Sequence, residues 1–209
     1  MATFEAFLGL LNFAIATGLF YGRFSRPQAF LKFSDNALIA PYRDGVGLML
    51  RMVPYKNNYL TDAEVRLTLA LTTDVNGSQS NKFYPLELEL DKVVALTLSW
   101  TVVHPINDKS PLSQLSQKEL ADLKAEILVF VKAFDESFSN IVQSRTSYTA
   151  NEILFGQKFV PMFHRSDDGS KTILELDKLN DHRPADISNV YPELRKDETS
   201  TLLQPIDNS

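Results

Sequence analysis

The sequence predicts an all-β fold, a β-sandwich, preceded by an N-terminal apolar helix. Three observations predict it. From Phe30 onward, short apolar runs with strand-like patterning follow one another, separated by turn signals and interrupted by one or two small helical patterns. Ahead of them, no residue from Phe7 to Tyr21 is charged. Behind them, the chain becomes acidic and contains Pro184, Pro192 and Pro205. The expected organisation is therefore a helix with a basic junction over 1–26, a domain over 27–180, and a weakly ordered tail over 181–209.

Composition narrows the function classes. A chain of 209 residues, 44% of them hydrophobic, is long enough for one full core with an appendage. A net charge of −5 argues against general nucleic-acid binding, so no nucleic-acid partner is expected. Without cysteine there is no disulfide, thiolate metal site or cysteine nucleophile.

The opening segment lacks the basic start of a signal peptide and runs straight into Arg23 and Arg26. Its length is near the minimum for a membrane span. Three readings fit it: a helix buried in the protein or in an oligomer, a membrane helix, or an interfacial anchor. Gly9, Gly18 and Gly22 are costly in a water-exposed helix but common in membrane helices. Arg23 and Arg26 fit a cytoplasmic headgroup layer, and equally a helix C-terminus that favours cations. Pro27 ends the helix or begins an extended segment.

The strands follow in order. "FLKF" and "NALIAPY" lead to Asp44-Gly45, a hairpin signal, and then to "VGLMLRMV". In "AEVRLTLAL", Val65, Leu67, Leu69 and Leu71 share one face, and Arg66, Thr68 and Ala70 the other. Asn76-Gly77 marks a second hairpin. "YPLELELD" reads as a strand with Leu86, Leu88 and Leu90 inward, and "VVALTLSWTVVH" as the next. Ser116 and Glu119 form a capping box over Leu120 and Leu123. "AEILVFVKAF" is almost continuously apolar, as a central strand would be, and "FSNIVQSRTSYT" follows it. Thr149 and Glu152 cap one turn before "ILFGQKFVPMF", and 166–180 reads as a last hairpin.

Little of this points to catalysis. His104, His164 and His182 lie far apart, and none has a partner at metal-ligand spacing. His104 is a candidate base or, more simply, a hydrogen-bonded structural histidine. Glu87 and Glu89 read as a solvated strand face. There is no nucleophile elbow, P-loop or dinucleotide fingerprint. No catalytic, metal-binding or cofactor-binding residue is assigned, and no cofactor is expected.

Five segments carry a resemblance: "TFEAFLGLLNFAIATGLFYGRFSRPQA", "FSDNALIAPYRDGVGLMLRM", "LTDAEVRL", "WTVVHPINDKSPL" and "SRTSYTANEILFGQKF". Together, in this order and spacing, they resemble the inward-rectifier potassium channel family, its bacterial KirBac branch above all. The resemblance covers about residues 3–163. It implies that the first 22 residues are the end of an inner, pore-lining helix. It also implies that the body is an immunoglobulin-like cytoplasmic sandwich, four copies of which surround a water-filled vestibule. The family's filter loop, T-V/I-G-Y/F-G, is not among these residues, so the chain by itself is not expected to select ions.

The resemblance also implies roles. Gly9 and Gly18 match glycines where the inner helix bends. Phe13 is pore-lining, at a position where some members carry a rectification-controlling carboxylate. Tyr21 falls at the helix-bundle gate. Arg23, Arg26 and Lys32 match anionic-phospholipid contacts. Asp62 faces the cytoplasmic vestibule, with Glu64 beside it, and Lys132 stands at a second position that is acidic in the family. Residues 133–139 match the narrow cytoplasmic girdle. The implied partners are three further copies in a homotetramer, potassium ions in the vestibule, and anionic phospholipid. The alternative reading is a soluble immunoglobulin-like binding or oligomerisation domain with a helical anchor.

Overall fold

The computed structural model describes residues 2–24, 29–56, 58–75, 78–113 and 115–191. Arg26, Pro27 and the Asn76-Gly77 turn lie outside the described residues. Helix α1 runs Ala2–Phe24. The strands are β1 (Leu31–Phe33), β2 (Ala37–Tyr42), β3 (Gly45–Pro54), β4 (Leu60–Val75), β5 (Ser78–Leu86), β6 (Lys92–Leu96) and β7 (Trp100–Ile106). Helix α2 (Gln117–Asp122) precedes β8 (Glu126–Asp135), β9 (Asn140–Thr149), β10 (Ile153–Phe155), β11 (Gln157–Phe159), β12 (Phe163–Arg165), β13 (Thr172–Leu174) and β14 (His182–Pro184).

Two five-stranded sheets form the sandwich. In the first, β3 pairs antiparallel with β1, β2 and β7, and β10 joins β2 in parallel. In the second, the order is β5-β4-β8-β9, with β6 also on β4. The alternation in β4 decides how the sheets meet. Val65, Leu67, Leu69 and Leu71 are buried, and they share one core with Leu48, Leu50 and Met52 of β3 and Ile127, Val129 and Val131 of β8. As its apolar composition predicts, β8 is internal, paired on both sides.

Local signals act where expected. Ser116 Oγ accepts from the Glu119 amide, and the Glu119 carboxylate accepts from the Ser116 amide at 2.8 Å. Those hydrogen bonds hold the Glu119 carboxyl below its usual range. The same reciprocal box joins Thr149 and Glu152 around a 3-10 turn. Gly156, at φ 64°, turns the chain between β10 and β11, a conformation that costs glycine little.

Four expectations need correction. The strand that ends in "YPL" stops at Leu86; Leu88 is half-buried and Leu90 exposed. The reason is that 87–91 crosses between the sheets: the Glu89 amide donates to Val103 O of β7, and Asp91 O accepts from the Val65 amide of β4. The run "VVALTLSWTVVH" is two strands in different sheets, because the chain crosses the sandwich between Leu96 and Trp100, both buried. The last hairpin is β12–β13, and a 3-10 turn at Leu176–Asn180 follows it. Finally, 181–191 is packed. β14 pairs with β11, Ile187 and Tyr191 are buried in the main core, and the Tyr191 ring meets Phe155 edge-on at 5.3 Å. Residues 192–209 lie outside the described residues.

Candidate ion-path surface and membrane junction

Residues 3–23 of helix α1 are exposed throughout. The 21 residues Thr3–Arg23 are long and apolar enough to cross a membrane, and none of their best window is buried. Phe13 is 72% and Tyr21 75% exposed. Phe13, Thr17 and Tyr21 follow at i, i+4 and i+8, so they form a slowly drifting stripe. The Thr17 hydroxyl donates to Phe13 O at 2.8 Å, a back-bond that favours bending. Gly9 and Gly18 stand about 180° apart around the axis, on opposite faces. An added Cβ would meet nothing within 4 Å at either glycine.

At the junction, Arg23 is exposed in the last turn of α1. Lys32, on β1, is exposed and holds its ammonium 5.5 Å from the Tyr55 ring. Arg26 lies outside the described residues.

Asp62 and Glu64 sit on the outer face of the second sheet. Thr61 lies opposite Phe134 and Glu64 opposite Lys132, so β4 carries one residue more than β8 between those pairs. Asp62 stands in this bulge at φ 48°. The extra residue keeps both Leu60 and Ala63 in the core and pushes Asp62 outward.

The structure therefore brings Asp62, Glu64 and Lys132 together, along with two cations the sequence reading did not assign to the site. Lys92 Nζ is 3.1 Å from Asp62 Oδ1. Arg66 lies 2.7 Å from Glu64 Oε1, and its Nε donates to the same oxygen at 2.8 Å. The Glu64 carboxyl is held below its ordinary range, first by the Arg66 hydrogen bond and charge, then by Lys132 and Lys92. Arg66 was legible as a neighbour of Glu64 from period-two alternation. Lys92 was not, since it arrives on another strand. This face mixes signs; it is not a carboxylate surface.

The turn after β8 is braced by a buried acid. Asp135 Oδ1 accepts from the amides of Ser137 at 2.8 Å and Phe138 at 3.3 Å. Phe134, Phe138 and Ile141 project around this hairpin, all exposed.

His104 is structural. The Leu112 amide donates to Ser110 Oγ, which leaves that hydroxyl to donate to His104 Nε2 at 2.7 Å. Nδ1–H then donates to Glu87 O. All three bonds are satisfied by the neutral ring, and burial pushes its pKa down. His164 instead approaches Glu175 at 3.6 Å, and His182 contacts Gln157.

Residues 31–198 match the inward rectifier potassium channel C-terminal domain. The chain belongs to the inward rectifier potassium channel family. It is similar to the inward rectifier potassium channel Kirbac3.1 of Paramagnetospirillum magnetotacticum, 32% identical over 182 residues, which cover 87% of this chain and 61% of that protein. It is likewise similar to the G protein-activated inward rectifier potassium channel 1 of Homo sapiens, 32% identical over 171 residues, 76% of this chain and 33% of that protein. The inward rectifier potassium channel irk-1 of Caenorhabditis elegans is 29% identical over 165 residues, 74% of this chain and 30% of that protein. The chain thus spans between about a third and three fifths of these relatives. Within the inward rectifier family, whose channels sit in the cell membrane, the sandwich is the cytoplasmic domain, immunoglobulin-like in fold, and the apolar helix is long and apolar enough to fit a membrane anchor.

Proposed function

We propose that this chain is the gating and ion-vestibule module of a homotetrameric inward-rectifier potassium channel. The observation that carries the reading is the fully exposed apolar helix running into a family-matched cytoplasmic sandwich. An apolar helix that is exposed along its length calls for lipid and other copies around it. Closed cyclic symmetry would supply those copies and enclose an axial path.

In such an assembly the α1 helices line the path. Phe13 faces it without charge. Tyr21 rings near the cytoplasmic end narrow it, and they close it by excluding water. Gly9 and Gly18 supply places for the helix to bend. Arg23, Arg26 and Lys32 hold anionic phospholipid at the leaflet. Asp62 and Glu64 draw potassium toward the vestibule, weakly, because Lys92, Arg66 and Lys132 offset them. No filter sequence lies among the 209 residues, so this part gates and concentrates ions and does not choose among them.

Solution mass of the detergent-solubilised chain tests the reading. A tetramer is expected over a range of concentrations. A stable monomer or two-fold dimer overturns it and leaves a binding or oligomerisation domain with a membrane anchor.

A further inference from the structure

Where the chain enters the sandwich, lysines and aromatic rings alternate in one stack. Lys56 Nζ lies 4.0 Å from the centroid of the Phe30 ring. Phe30 meets Tyr55 edge-on, with ring centroids 6.0 Å apart, and Lys32 Nζ lies 5.5 Å from the Tyr55 ring. The backbone holds the stack: the Tyr55 amide donates to Phe30 O at 3.1 Å, next to the Leu31–Pro54 pair of β1 and β3. Lys32, Tyr55 and Lys56 are exposed, and Phe30 is half-buried. Neither lysine joins an ion pair among the described residues. Phe30 stands at φ 38°, a left-handed conformation that a bulky residue adopts only at a cost. An ammonium over a ring keeps N–H donors free for an anion.

Position decides what this surface meets. Ala29 is buried, and its O accepts from Asn58 Nδ2 at 3.0 Å, so the chain is fixed to the sandwich there. Helix α1 ends at Phe24, and the five peptide links from Phe24 to Ala29 reach at most about 18 Å. With α1 as the membrane anchor, the stack is therefore tethered close to the cytoplasmic headgroups. Rings with a polar edge and lysines with long apolar stems are the side chains that a headgroup layer accepts. An anionic leaflet attracts the lysines as well.

We propose that this stack is a docking surface for the anionic membrane interface. Phe30 and Tyr55 form its stiff centre, and Lys32 and Lys56 hold lipid phosphates on either side. The proposal deepens the lipid role of Lys32 by adding Lys56 and both rings, and it rests on α1 as the anchor. Docking here ties the start of β1 and the end of β3 to the charge of the leaflet.

The test uses the whole chain, ²H,¹⁵N-labelled, in nanodiscs of phosphatidylcholine with or without phosphatidylglycerol, each doped with a gadolinium-headgroup lipid. Strong broadening of the Lys32, Tyr55 and Lys56 amides is expected in the anionic discs and little in the neutral ones. Lys56→Gln should lower the docked-to-undocked ratio about fivefold, the effect of one cation lost at an anionic surface, and Lys56→Arg should restore it. Broadening of the Arg23 amide should be alike in all three proteins, which shows the anchor in place. Broadening at the stack that ignores lipid charge, or that Lys56→Gln leaves unchanged, would overturn the surface. So would saturable shifts of the Lys32 and Lys56 amides with inorganic phosphate in neutral discs, which would make this a phosphate site. Solution mass judges the tetramer separately, so a tetramer with an undocked stack refutes this surface alone.

Discussion

Lys92 and Asp62 meet across β6 and β4 with Nζ 3.1 Å from Oδ1, and the acid stands on a β-bulge. Lys92→Met should leave Asp62 without its nearest cation and raise divalent-cation affinity at this face a few-fold. Paramagnetic broadening of the Asp62 amide by Mn²⁺ measures it. Equal broadening in both proteins would show that Lys92 does not hold the carboxylate. Both side chains are largely exposed, so little change in folding stability is expected.

Arg23→Ala with Arg26→Ala should weaken sedimentation with anionic vesicles and leave neutral vesicles unaffected. Each cation near the leaflet is worth about 1 kcal/mol, less at high salt. The sandwich should keep its melting temperature. Identical sedimentation of the two proteins would remove the lipid role.

Arg51 is a buried guanidinium on β3. It lies 4.4 Å from the Phe159 ring and donates to Val160 O at 2.8 Å and Lys178 O at 3.4 Å. Its pKa is lowered by burial and partly restored by Asp181. Arg51→Ala takes the donor from Val160 O and leaves a void, while Lys178 O keeps the Asp181 amide at 3.3 Å, so about 2–4 kcal/mol should be lost in urea unfolding.

How much of this was legible in the sequence differs by element. The β4 face was legible because its core residues alternate without exception from Ala63 to Leu71. The bulge at Asp62 was not, because a positive φ on a non-glycine residue leaves no compositional mark. The crossing between β6 and β7 also hid, since no glycine or proline punctuates Thr97–Ser99. The segment after 181 reads as a tail because β14 spells His-Arg-Pro, and its burial rests on two isolated anchors, Ile187 and Tyr191. At the candidate site, Asp62, Glu64 and Lys132 were marked by family likeness. The neutralising Lys92 depends on strand pairing, which no local pattern encodes.

His104 sets an acid limit on stability. Burial lowers its folded pKa below the ordinary 6.5, so the unfolded chain takes up the proton first. Stability should be level above about pH 6.5 on this account and fall as pH drops from there toward the lowered value. His104→Phe should be less stable at pH 7 but show a shallower fall between pH 7 and 5.5 in urea midpoints.

Tyr148 sets the alkaline limit. Its hydroxyl donates to Ser34 O at 2.9 Å, and burial pushes its pKa up to about 12. The unfolded phenol ionises near pH 10, so stability is present below pH 10 and declines as pH rises toward 12, by about 2–3 kcal/mol in all. Tyr148→Phe should remove that decline. Phenolate absorbance against pH, read beside unfolding, measures it.

The parallel pairing of β10 with β2 places Ile153 beside Ala37, near opposite ends of the domain. During synthesis, the first sheet stays unfinished until almost the whole sandwich has left the ribosome, while α1, made first, is already available to the bilayer. The emerging strands therefore wait, tethered at the membrane surface, with unpaired edges. Early membrane capture that holds nascent chains apart would guard this interval, and a chain made without α1 should aggregate more during translation than during refolding at low concentration.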